Sequence, residues 1–179
     1  MDYTLQKWRG SIAANYVCHG DRLLDVGCYD GWFLTKVRHK TTATLGLERD
    51  IPSALLPAIR HRLLASDVVQ GLPFPADAFD VVSLLAVFEH LTDYHRVVGE
   101  LARVLRPGGR VILTVPGGQV DHVLSILITL GVADGMSLEE HHGYQAQETP
   151  ALFATHGFEM RTWHRFQFGL NNLFVFEKS

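Results

Sequence analysis

The chain has 179 residues, 47% hydrophobic, 20% charged and 10% aromatic, which excludes a disordered chain and suffices for one core without staples. With 16 Lys and Arg against 19 Asp and Glu, the net charge is −3, which excludes a broad polyanion-binding surface. Cys18 and Cys28 are too few for a disulfide framework and fit a reducing cytoplasm; MDYTLQKWRG has no secretory apolar stretch, and no run reaches the roughly 20 residues of a membrane span.

Leu5, Trp8, Ile12 and Tyr16 recur at helical spacing and predict a first helix with that face inward. Arg22–Val26 is a short apolar run ending at Gly27, followed by a helix over 31–38. Thr44–Leu47 predicts a second strand, ended by Glu48. Asp50 then caps a helix with Pro52 in its first turn. A third strand is predicted at 61–65, and Leu72–Ala78 reads as loop. Phe79–Leu85 is nearly continuously apolar, as in a strand covered on both faces. Tyr94, Val97, Val98, Leu101, Val104 and Leu105 mark one helix face, and Arg106–Gly109 predicts a stop before a strand at Arg110–Val115. Segment 120–130 is apolar nearly all round. A short helix at Glu148–Thr155 ends before Gly157. Phe158–Phe168 and Asn172–Glu177 predict an antiparallel hairpin turning at 169–171.

Buried strands alternating with helices imply an α/β architecture: an open, mostly parallel sheet with helices on both faces. Ligands of such sheets bind beyond the carboxyl ends of the strands. The residues there are Gly27–Gly31, Glu48, Asp67, Ala86–Leu91 and Pro116–Gln119. A dinucleotide fingerprint needs glycines at relative positions 0, +2 and +5, and from Gly27 the latter two are Tyr29 and Trp32. A nicotinamide-dependent oxidoreductase is therefore disfavoured, and no Gly-Lys-Ser/Thr exists for a Walker loop. An acid, a Gly and a Gly four residues on also describe an ordinary strand–helix turn. Glu48 is placed to accept ribose hydroxyls, or is simply a solvated charge beside Arg49 and Asp50. Asp67 can accept from an adenine amino group, or caps a turn.

Five segments in this order resemble the class I S-adenosylmethionine-dependent methyltransferases: LLDVGCYDG, LGLE, SDVVQGLPFPADAFDVV, AVFEHL and LRPGGRVILTVP. The resemblance implies a three-layer αβα Rossmann-like fold, with a seven-stranded sheet closed by a C-terminal antiparallel hairpin. It implies S-adenosylmethionine as cofactor and S-adenosylhomocysteine as product. By position, Gly27, Cys28 and Gly31 would approach the methionine part, with Asp25 supporting the loop or the ammonium. Glu48, with Arg49 beside it, would hold the ribose, Asp67 and Val68 would bracket the adenine, and Ala86 would pass beneath the sulfonium. The family often has Gly where this chain has Tyr29, whose ring or dihedrals would then shape the cofactor loop.

Methyl transfer needs mainly an in-line arrangement, worth roughly 7–11 kcal/mol. His90 and His142 are the candidate bases, at about 10²–10⁴ in rate for an O–H or N–H nucleophile. A loop-orienting role for His90 and a polar turn at His141–His142 are the structural alternatives. No metal-ligand spacing occurs, so no metal is expected. The apolar helix 121–130 is a candidate homodimer contact or acceptor lid, with burial as its structural reading. Residues 1–179 read as one methyltransferase domain, leaving mainly the first helix and 116–144 for acceptor recognition. The expected activity is methyl transfer to a small molecule, without nucleic acid or an integral membrane segment. A non-catalytic cofactor-binding or accessory protein is the alternative, motivated by Tyr29.

Overall fold

The computed structural model describes residues 3–51, 62–117 and 145–179. The helix predicted after Asp50, the apolar segment 120–130 and His141–His142 lie outside them.

Among the described residues one sheet has seven strands in the order β3-β2-β1-β4-β5-β7-β6. The strands are β1 (Arg22–Val26), β2 (Ala43–Glu48), β3 (Leu63–Ala65), β4 (Phe79–Leu85), β5 (Leu105–Pro116), β6 (Phe158–Phe166) and β7 (Asn171–Lys178). β1 pairs in parallel with β2 and β4, β2 with β3, and β4 with β5, whereas β7 runs antiparallel between β5 and β6. The sheet, its closing hairpin and the flanking helices form the predicted Rossmann-like architecture.

Period-two side-chain alternation splits the core in two. Leu24, Val26, Val82, Leu84, Val111, Leu113, Phe174 and Phe176 point to one face, with Val97, Val98, Leu101 and Phe153 packed there. Leu23, Val81, Ile112, Leu173 and Val175 point to the other, covered by Ala13, Ala14, Phe33, Leu34 and Val37. Helices α1 (Tyr3–Ala13) and α2 (Trp32–Val37) therefore cover one side, and α3 (Tyr94–Val104) and α4 (Thr149–Ala154) the other. β4, buried along nearly its whole length between β1 and β5, explains its continuous apolar run.

Three details differ from the sequence reading. In α1 the deeply buried positions are Gly10 and Ala13, continuing through Ala14 and Val17, while Trp8 is 42% exposed. Small residues allow close approach: a Cβ at Gly10 would lie 2.7 Å from the Trp32 ring. The stripe of large residues thus marks the flank of the contact rather than its centre. Second, Arg106–Gly109 does not separate helix from strand. α3 ends at Val104, and β5 begins at Leu105, which pairs with Phe79 before a register shift to Val81–Arg110. Gly108 at φ +70° permits this irregular lead-in, and the Arg106 and Arg22 guanidiniums both reach the Asp80 carboxylate. Third, the hairpin turns at 167–170, earlier than predicted, with Gln167, Phe168 and Gly169 all left-handed. A register shift also interrupts β6 between Met160 and Thr162.

Candidate functional site

The carboxyl ends of β1, β2, β3 and β4 surround one cavity of about 400 Å³. It lies where strand order reverses between β1 and β4, the position the fold reserves for ligands. Gly27 and Tyr29 line it after β1, and Glu48 and Arg49 at the end of β2. Ser66, Asp67 and Val68 contribute after β3, and Ala86, His90 and Leu91 after β4.

The loop after β1 is left-handed at Gly27 (φ +71°), Tyr29 (φ +49°) and Gly31 (φ +71°). The Gly27 amide donates to the Leu47 carbonyl at 2.7 Å, tying the loop to β2. A Cβ at Gly27 would lie 2.3 Å from Val87 Cγ2, so only glycine fits between the two strand ends. Tyr29 adopts the backbone that glycine takes easily and projects a ring 47% exposed at the cavity wall. Gly31 is the N-cap residue preceding α2, where Asp30 Oδ1 accepts from the Trp32 amide at 2.9 Å. Gly27→Ala should cost about 1–3 kcal/mol of stability through contact and backbone strain. Denaturant midpoints check this, and Gly27→Ala with Val87→Ala should recover part of the loss; no recovery rules out the Val87 contact as a cause.

Glu48 is half-buried, and both its oxygens are engaged. Oε2 accepts from the Tyr29 amide at 2.8 Å and Oε1 from the Arg49 amide at 2.9 Å. Each oxygen keeps a second lone pair for a ligand hydroxyl. Glu48 therefore shapes the glycine loop as well as facing the cavity, a role its strand-end position did not reveal. Asp67 Oδ1 accepts from the Val69 amide at 3.0 Å and caps the turn Val68–Gln70, while the residue also borders the cavity beside buried Val68. The turn-capping reading is thus observed, with the residue standing at the cavity border. Ala86 is left-handed (φ +60°), its amide shared between the Thr114 carbonyl (3.0 Å) and Thr114 Oγ1 (3.1 Å). A non-glycine residue held there marks strain at the cavity floor.

Asp25 and Cys28 point away from the large cavity. They border a second space of about 30 Å³ beneath the loop, closed by Gln6, Arg9 and Gly10 of α1. Asp25 accepts a 2.6 Å hydrogen bond from Ser83 Oγ, yet burial pushes its carboxyl up to about 7, with Glu48 and Asp30 raising it further. Burial also pushes the Cys28 thiol up, so it is not a thiolate nucleophile. Glu89, next to His90, is buried and likewise raised to about 7, and burial lowers Arg9 opposite it. Sequence reasoning missed Gln6, Arg9 and Ser83. The available signal was Arg9 beside Gly10, a charge at the edge of a small-residue helix face.

Among the described residues no group of three or more His, Cys, Asp or Glu is arranged to hold a metal ion. No helix among them is long and apolar enough to cross a membrane.

Comparison with known proteins agrees with this geometry. The methyltransferase-domain family model matches residues 9–162. The chain is 31% identical over 147 residues to a Mycolicibacterium smegmatis protein named among S-adenosylmethionine-dependent methyltransferases, a match covering 76% of this chain and 56% of that one. It is 32% identical over 143 residues to the 27-O-demethylrifamycin SV methyltransferase of Amycolatopsis mediterranei, covering 70% of this chain and 52% of that one. The chain thus spans about half the length of these curated relatives. The fold superposes on the 1,6-didemethyltoxoflavin-N1-methyltransferase of Burkholderia thailandensis, solved with 1,6-didemethyltoxoflavin and S-adenosylhomocysteine. That match has a TM-score of 0.74 at 16% identity and covers 99% of this chain and 80% of the other. A family model matched over most of the chain, on a sheet of this order, makes the chain a member of the class I S-adenosylmethionine-dependent methyltransferase family.

Proposed function

We propose that the chain transfers the methyl group of S-adenosylmethionine to an O, N or C nucleophile of a small molecule. The observation that carries this reading is the convergence of Gly27, Glu48, Asp67 and Ala86, from four successive strand ends, on one cavity. The donor set suits the cofactor. Glu48 offers lone pairs for two ribose hydroxyls, Asp67 an acceptor for the adenine amino group, and Val68 and Leu91 apolar walls for the base. Bound S-adenosylmethionine supplies a methyl on a cationic sulfur, open to in-line displacement. The chain's task is then to hold two reactants in line, with Gly27 and Ala86 letting backbone approach closely. His90 stands on the cavity wall, placed to take a proton from an acceptor hydroxyl or amine.

A small-molecule acceptor accords with the names of the rifamycin and toxoflavin enzymes and with a net charge of −3. Two free cysteines accord with a reducing cytoplasm.

Calorimetric titration with S-adenosylhomocysteine, followed by assay of labelled methyl transfer to phenolic, amine and enolic acceptors, tests the proposal. Binding with transfer to one acceptor class is expected. No heat at millimolar ligand overturns it, and binding without transfer to any acceptor supports the accessory-protein reading motivated by Tyr29.

A further inference from the structure

The geometry points to a surface site for one divalent transition-metal ion, held jointly by His95 Nδ1 of α3 and His156 Nε2 of the turn after α4. The two nitrogens face each other at 3.1 Å, with ring planes 46° apart and centroids separated by 5.4 Å. Two imidazole nitrogens at about 2.0–2.1 Å from one ion lie roughly 2.9 Å apart at a right angle and roughly 3.3 Å apart at the tetrahedral angle. The observed separation falls between these, so seating an ion calls for rotation of the two rings. The residues stand 61 positions apart, so no ligand spacing announces them in the sequence. Neither lines the cavity assigned to the cofactor, and the inference does not rest on S-adenosylmethionine being the ligand.

Both backbones that carry the pair are already fixed. Asp93 caps α3 by accepting from the Arg96 amide at 3.0 Å, which sets the turn bearing His95. The His156 amide donates to the Phe153 carbonyl at 3.0 Å, and Phe153 is fully buried and stacked on Phe176 at 4.0 Å. Gly99, one turn along α3 from His95, leaves room for the His156 ring, whose nearest atoms lie 3.7 and 3.8 Å from where a Cβ would stand. Ligands placed in advance lose little freedom on binding. Imidazole suits zinc, nickel and copper, whereas calcium and magnesium prefer oxygen. Among the described residues no third His, Cys, Asp or Glu joins the pair, and His95 is exposed, so water completes the coordination. In the ion-free pair one nitrogen carries the proton that the other accepts. When an ion takes that place, this proton moves to the second nitrogen of its own ring. Each ring then gives one lone pair and keeps one N–H. The ion would clamp α3 to the chain entering β6.

The alternative is a plain hydrogen bond between the two rings. Zn²⁺ titrated calorimetrically into the full chain separates the two, with Cys18→Ser in every arm because that exposed thiol also binds zinc. His95→Gln and His156→Gln should each weaken the tightest-bound ion at least tenfold. The double variant should lose no more than either single one, as a shared ion requires. Zn²⁺ at 100 times its dissociation constant should raise the melting temperature by about 5–10 °C, a gain both variants should lack. Nitrogen-15 spectra of the unsubstituted histidines should show Zn²⁺ shifting His95 Nδ1 and His156 Nε2 together, a readout that needs no variant to fold. The absence of zinc binding, binding untouched by both substitutions, or a loss confined to one of them overturns the site.

Discussion

Replacing Glu48 with alanine is expected to reduce affinity for S-adenosylhomocysteine by about 30- to 1,000-fold, or roughly 2–4 kcal/mol. Two losses coincide. The ribose hydroxyls lose their acceptor, and the Tyr29 and Arg49 amides lose the oxygens that hold them at 2.8 and 2.9 Å. Without that anchor nothing offsets the left-handed backbone at Tyr29, a conformation costing about 1 kcal/mol or more. Glu48→Gln should be nearly as damaging, because one acceptor becomes a donor facing a backbone N–H. Glu48→Ala with Tyr29→Gly should recover the loop's share of the loss and not the hydroxyls' share. Affinity unchanged by Glu48→Ala, measured by calorimetry, would remove Glu48 from the ribose site.

The second large effect concerns Asp25. Asp25→Asn is expected to stabilise the ligand-free protein by about 2–4 kcal/mol at pH 8 while weakening cofactor binding. The carboxyl titrates near 7 in the folded chain against an ordinary value of 3.8. Between those values the folded state holds more protons than the unfolded one, so stability falls as pH rises. The contribution of Asp25 is fully present below about pH 4 and lost by about pH 7. The advantage of Asp25→Asn should therefore be absent below pH 4, grow from 4 to 7 and stay constant above. Glu89, also near 7, acts in the same direction in both proteins, while Glu100, held down at about 2 by Arg103, acts oppositely. The difference between the two proteins cancels these and isolates one group. A ligand ammonium favours ionised Asp25, so S-adenosylhomocysteine should bind the unmodified chain about tenfold more tightly at pH 8 than at pH 6. Asp25→Asn should flatten that dependence. Destabilisation by Asp25→Asn at pH 8 would show that burial does not dominate this carboxyl.

Much of the fold is legible in the sequence because the relevant signals are local. The run Phe79–Leu85 is apolar on both faces, and β4 is buried on both sides. Glycines at 27 and 31 announce a turn whose backbone does adopt left-handed angles. The strand ends placed Glu48, Asp67 and Ala86 together because a parallel sheet aligns its carboxyl ends. What was illegible depends on partners distant along the chain. Leu105 joins the sheet because Phe79 lies beside it, and nothing in Leu-Arg-Pro-Gly-Gly reveals that pairing. Ser83 contacts Asp25 only through the β1–β4 register, 58 residues apart. Arg9 lies near the glycine loop because α1 packs on its small residues, and periodicity weighs large side chains more heavily.

Among the described residues β6 is the outermost strand on its side of the sheet, which has a consequence for solubility. An outermost strand exposes unpaired backbone groups, an invitation to other chains. Here Glu159, Arg161 and Arg165 stand out from it, and Arg161 bridges to Glu159 at 2.7 Å and to Glu177 at 3.0 Å. The register shift between Met160 and Thr162 breaks the straight ladder that an added strand would need. Together these features oppose ribbon-like growth of the sheet from this margin, so concentrated solutions should resist aggregation initiated there.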